Sequence, residues 1–102
     1  MKTNEIPAGF TQWDVADYLK NEKDIQGYLD ACFEEDPGDG SLIRAALGDI
    51  ARVRSMTKLA RDTGLAREGL YRALSADGNP EFSTILKVTR ALGLKLTVAR
   101  AG

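Results

Sequence analysis

Apolar and polar positions along this chain repeat with two different periods. Val15, Tyr18 and Leu19 follow Asp14 at helical spacing and predict a short first helix. Asp24 opens the next block, where Ile25, Tyr28, Leu29, Cys32 and Phe33 recur every three or four residues. The turn Asp36-Pro37-Gly38-Asp39-Gly40 must end that helix. From Ser41 onward, Leu42, Ile43, Ala46, Leu47, Ile50, Ala51 and Val53 form a broad apolar stripe. Two shorter helices over 56–63 and 66–75 follow, separated by Gly64-Leu65, and residues 76–80 read as a loop. Phe82, Ile85, Leu86, Val88 and Leu92 mark a last helix, closed by Gly93 as a left-handed C-cap. After Gly93 the period drops to two, and Leu94–Ala99 reads as a strand with Leu94, Leu96 and Val98 turned inward. The layout is six helices and one terminal strand, with no internal repeat.

The 102 residues suit one domain, and 43% apolar with 28% charged residues is an ordinary globular balance. The net charge of −1 conceals a split. Residues 1–40 carry 3 Lys and 10 Asp or Glu, giving −7, whereas residues 41–102 carry 11 Lys or Arg and 5 Asp or Glu, giving +6. A basic rear half points to an anionic partner. The chain has no His, which removes His-based triads and the usual near-neutral proton shuttle. One cysteine, Cys32, makes neither an internal disulfide nor a multi-cysteine metal site, and it reads as a small buried hydrophobe. No apolar run approaches the ~20 residues of a bilayer span, and no basic stretch followed by an apolar one marks a secretory signal. A cytoplasmic protein without cofactor or metal is expected, and no enzyme chemistry is marked.

Chemistry concentrates in residues 55–74. Two short helices around a Gly-containing turn describe a helix-turn-helix. Ala60 is small where the helices cross, Gly64 supplies the positive φ of the turn, and Leu59, Leu65, Leu70 and Leu74 anchor the pair. Arg67, Glu68, Tyr71 and Arg72 are then left on the outer face of the second helix, the one that enters the DNA major groove in this motif.

Met56–Leu65, Arg67-Glu68, Leu70–Ser75 and Asp77-Gly78-Asn79-Pro80 together resemble the addiction-module antidote family of small HigA-type, Xre/lambda-repressor-like antitoxins. Ala46–Arg52, Lys87-Val88 and Ala91–Leu94 match as well, and Asp17–Leu19 more loosely. The resemblance implies a sequence-specific DNA-binding antitoxin that neutralises a RelE/HigB-like toxin and represses its own operon. By position, Arg67, Glu68 and Arg72 would read bases, while Thr57, Lys58 and Tyr71 would hold phosphates. Two departures stand out. Ala66 replaces the Ser that usually caps the recognition helix, at about 0.5–2 kcal/mol. Gly69 lies within that helix, at about 1 kcal/mol against Ala. Together they predict a recognition helix partly frayed without DNA.

The acidic set Glu34, Glu35, Asp36 and Asp39 lacks the ligand order of a calcium loop and reads as solvated charge at a helix end. Carboxylates there oppose the helix dipole, a conflict that a basic partner surface would relieve. Phe10, Trp13, Tyr18 and Tyr28 read as core and staple residues rather than a stacking platform.

The expected fold is an all-α, lambda-repressor-like helix-turn-helix bundle with an N-terminal two-helix extension and a C-terminal strand. Residues 1–40 form the acidic extension and 41–102 the DNA-binding domain, as one compact unit. Expected partners are operator DNA, a cognate toxin and a second copy of the chain, the strand closing a homodimer or adding to the toxin's sheet. A stand-alone phage-type regulator and a protein-interaction module without DNA binding are the alternatives.

Overall fold

The computed structural model describes Leu19 and residues 21–101. The helix expected after Asp14 falls outside them, save for Leu19, which is buried in the core. Five helices follow: α1 (Glu22–Glu35), α2 (Ser41–Arg54), α3 (Met56–Thr63), α4 (Arg67–Ala73) and α5 (Phe82–Ala91).

Asn21, not Asp24, opens α1, because its side-chain oxygen accepts from the Asp24 N–H at 2.9 Å. The face carrying Ile25, Tyr28, Leu29 and Cys32 is buried, as its spacing requires, whereas Phe33 from the same repeat is 52% exposed. α1 packs along α2, and α3 packs against α2, α4 and α5. One core joins all five helices through Ile25, Ile50, Leu59, Leu70, Val88 and their neighbours. Cys32 lies within it, and burial followed by the nearby Asp49 and Asp36 charges pushes its thiol up to about 11.

The turn between α1 and α2 corrects the reading of its acidic residues. The Asp36 carboxylate accepts from the N–H groups of Gly38 and Gly40 through one oxygen, at 2.8 and 2.9 Å. Its other oxygen accepts from Leu42 and Ile43, at 2.9 and 3.4 Å. Gly40, the N-cap residue of α2, offers no side chain, so Asp36 serves the orphan donors of the first turn instead. Desolvation pulls the Asp36 pKa upward, but the four N–H donors outweigh it and hold the carboxyl below the usual aspartate range. For Asp36 the conflict expected at the end of α1 is resolved by the start of α2, whereas Glu34 stays exposed in the last turn.

The C-terminal strand is not formed. Residues 94–100 run without regular structure, because no neighbouring strand among the described residues offers backbone partners. Leu94 packs against the core, but Leu96 is exposed and Val98 is 95% exposed, so the inward alternation fails beyond Leu94. What does form is the end of α5. Gly93 takes φ 76°, its N–H reaches Arg90 O at 3.0 Å, and the Leu94 N–H reaches Thr89 O at 2.8 Å. This pair of bonds is a Schellman motif, as the Gly93 cap predicts.

Candidate nucleic-acid interface

Ser55 ends α2 and caps α3, its hydroxyl accepting from the Lys58 N–H at 3.0 Å. α3 closes on Gly64, whose φ of 76° is left-handed and whose N–H bonds to Ala60 O at 2.9 Å. A Cβ at Gly64 would meet nothing within 4 Å, so only the backbone conformation demands glycine there. Thr63 accepts from the Leu65 N–H at 3.3 Å and so ties down the turn leading to α4. Ala66 opens α4 with no side-chain cap, as its identity predicts.

α4 turns Leu70 into the core, and Leu74, just beyond its end, is buried with it. This pins the helix so that Arg67, Glu68, Tyr71 and Arg72 all stand exposed. Thr57 and Lys58 are exposed on the first turn of α3, the helix packed against α4. The Lys58 ammonium pairs with Asp62 at 2.7 Å, a hydrogen bond that holds the Asp62 carboxyl below its usual range.

Two further residues set where α4 lies. A Cβ on Gly48 of α2 would collide with the Leu74 carbonyl oxygen, so glycine permits the close approach of α2 to the end of α4. The Arg44 guanidinium donates to the carbonyls of Ser75 at 3.3 Å, Ala76 at 2.8 Å and Asp39 at 3.0 Å. It thereby joins the loop after α4 to the turn before α2.

Behind Tyr71 lies a charged group that the sequence reading missed. The Arg52 guanidinium carbon is 5.3 Å from the Tyr71 ring centroid, and that of Arg67 is 6.0 Å away. Arg52 pairs with Asp49 at 3.5 Å, and Asp49 accepts from the Tyr28 hydroxyl at 2.6 Å. Burial, followed by this hydrogen bond, drives the Tyr28 pKa well above the usual phenol value. The i,i+3 spacing of Asp49 and Arg52 was the visible signal. Nothing in the linear order connects either residue to Tyr71.

Among the described residues no group of acidic or cysteine side chains is placed to hold a metal ion. No helix among them is long and apolar enough to cross a membrane.

The described residues thus form a small helical bundle in which a short helix holds two arginines, a glutamate and a tyrosine outward. The profile of the probable addiction module antidote protein family matches residues 9–100, and the chain belongs to that family. Membership supports an antitoxin role and implies a cognate toxin as partner. The chain is also similar to an uncharacterized protein of Haemophilus influenzae, 51% identical over 89 residues that span 87% of this chain and 90% of that one. No solved structure matches.

Proposed function

We propose that the chain is a sequence-specific DNA-binding antitoxin that represses its own operon and neutralises a RelE/HigB-like toxin. In this reading α3, the Gly64 turn and α4 act as a lambda-repressor-like helix-turn-helix, with α4 as the recognition helix. The observation that carries it is the exposure of Arg67, Glu68, Tyr71 and Arg72 together on a helix whose opposite side is sealed by Leu70. Arg67 and Arg72 suit the paired acceptors of guanine, and Glu68 suits the amino group of cytosine. Tyr71 on that face, and Thr57 and Lys58 on the adjoining α3, suit phosphate oxygens. One such helix reads a half-site, so two copies on a two-fold-symmetric operator complete the reading.

Fluorescence anisotropy on the DNA upstream of the gene and on a scrambled duplex, across a salt series, tests this. Upstream DNA should bind tighter by a factor of about 10³ or more, with steep salt dependence. Equal binding to both duplexes rejects sequence-specific repression. Co-expression with the product of the neighbouring reading frame tests the toxin assignment, since the antitoxin should restore growth and co-purify.

A further inference from the structure

We infer that Arg52, held by Asp49, is a positioning residue for Tyr71 and belongs to the DNA-contacting apparatus although it sits on α2. The inference rests on the proposed DNA-binding reading and assigns it a residue outside the two short helices. Three observations converge. Arg52 lies 5.3 Å from the Tyr71 ring centroid, closer than Arg67 from within α4 itself. Its Nη1 is paired with the Asp49 carboxylate at 3.5 Å, and Asp49 is held in turn by the Tyr28 hydroxyl at 2.6 Å. Finally, Arg52 Nη1 lies 3.1 Å from where a Cβ of Gly48 would stand, at the place where α2 meets Leu74. The missing side chain at Gly48 makes room for the guanidinium in the seam between α2 and α4.

The physical argument concerns an aromatic ring at the surface. Tyr71 is 38% exposed, and an exposed tyrosine on a seven-residue helix has rotamer freedom that must be surrendered on binding. A guanidinium stacked against the ring restricts that freedom before DNA arrives, and Arg does this better than Lys because its charge is planar. Asp49 fixes the guanidinium on the α2 side, so the ring is referenced to the core through Tyr28. The hydroxyl of Tyr71 is thereby presented to a phosphate without Arg52 itself touching it.

A double-mutant cycle between Arg52→Ala and Tyr71→Phe, measured on operator DNA over a salt series, tests the inference. Arg52→Ala alone should weaken binding about two- to five-fold, the range of an exposed cation–π contact, and leave the salt slope unchanged. In the Tyr71→Phe background, which lacks the hydroxyl to be placed, Arg52→Ala should cost nothing more. Arg52→Lys should restore part of the loss, and Asp49→Asn should reproduce it. A salt slope lowered by about one, with additive losses, would show that Arg52 binds a phosphate directly and would overturn the positioning role. The Tyr71 ring resonances of the free protein give a readout that needs no DNA. They should shift in Arg52→Ala and Asp49→Asn, and unshifted resonances reject the inference. Shifted resonances in a protein that binds no DNA leave the positioning intact and sink the repressor reading instead.

Discussion

Single residues decide how well α4 is formed and what it can recognise. Ala66 leaves the first turn of α4 without a side-chain acceptor. Ala66→Ser should therefore raise stability by about 0.5–2 kcal/mol, measured by urea unfolding. Gly69→Ala should add about 1 kcal/mol, since a Cβ there meets nothing within 4 Å. Gly48→Ala should go the other way, because its Cβ would strike the Leu74 carbonyl and push α4 off α2; a lowered melting temperature checks it. Within the face, Arg72→Ala should weaken operator binding by about 1–3 kcal/mol more than scrambled-DNA binding. Lys58→Ala should weaken both alike and lower the salt slope by about one. Equal losses on both duplexes for Arg72→Ala would remove it from base reading.

At the scale of elements, the helices over 41–92 were legible because each carries apolar residues at helical spacing, and α3 and α5 are closed by glycines. Gly64 and Gly93 both adopt the left-handed conformation that their positions imply. The failed strand shows the limit of periodicity. Alternation at Leu94, Leu96 and Val98 describes a ribbon that could pair, and pairing needs a neighbour that the described residues do not supply. The site was legible where it lies on one element, as in Arg67-x-x-x-Tyr71-Arg72. It was illegible at Arg52, which meets Tyr71 only through the packing of α2 against the end of α4. The turn before α2 carries a prediction in pH. Asp36 has a folded pKa below its unfolded value, so its contribution to stability is full above about pH 3.9, the ordinary aspartate value. That contribution is lost as pH falls through the lower folded value. Asp36→Asn should flatten this acid limb of the stability curve, and an unchanged limb would clear Asp36 of the role.

For the whole molecule, α1 cannot be treated as a detachable acidic arm, because Ile25, Tyr28, Leu29 and Cys32 build the core. We propose its exposed carboxylates as the toxin-facing charge, and reversing them tests that better than truncation. Asp30→Lys with Glu34→Lys should reduce toxin co-purification while leaving melting nearly unchanged, both positions being exposed. Sedimentation of the free protein at micromolar concentration should show a dimer, matched to the proposed two-fold operator, and a monomer would reject a preformed dimer. The separation of charge has another consequence. With −7 on residues 1–40 and +6 on residues 41–102, the chain is nearly neutral overall but unevenly charged along its length. A distant polyanion should exert little net pull on such a chain, yet it repels the exposed carboxylates of α1 and attracts the arginines of α4, and these opposed forces turn the molecule. Salt should therefore act twice, on the contacts once made and on the fraction of encounters that arrive facing the right way. Beyond one Debye length, about 8 Å at physiological salt, that alignment fades, and the molecule meets DNA in no preferred orientation.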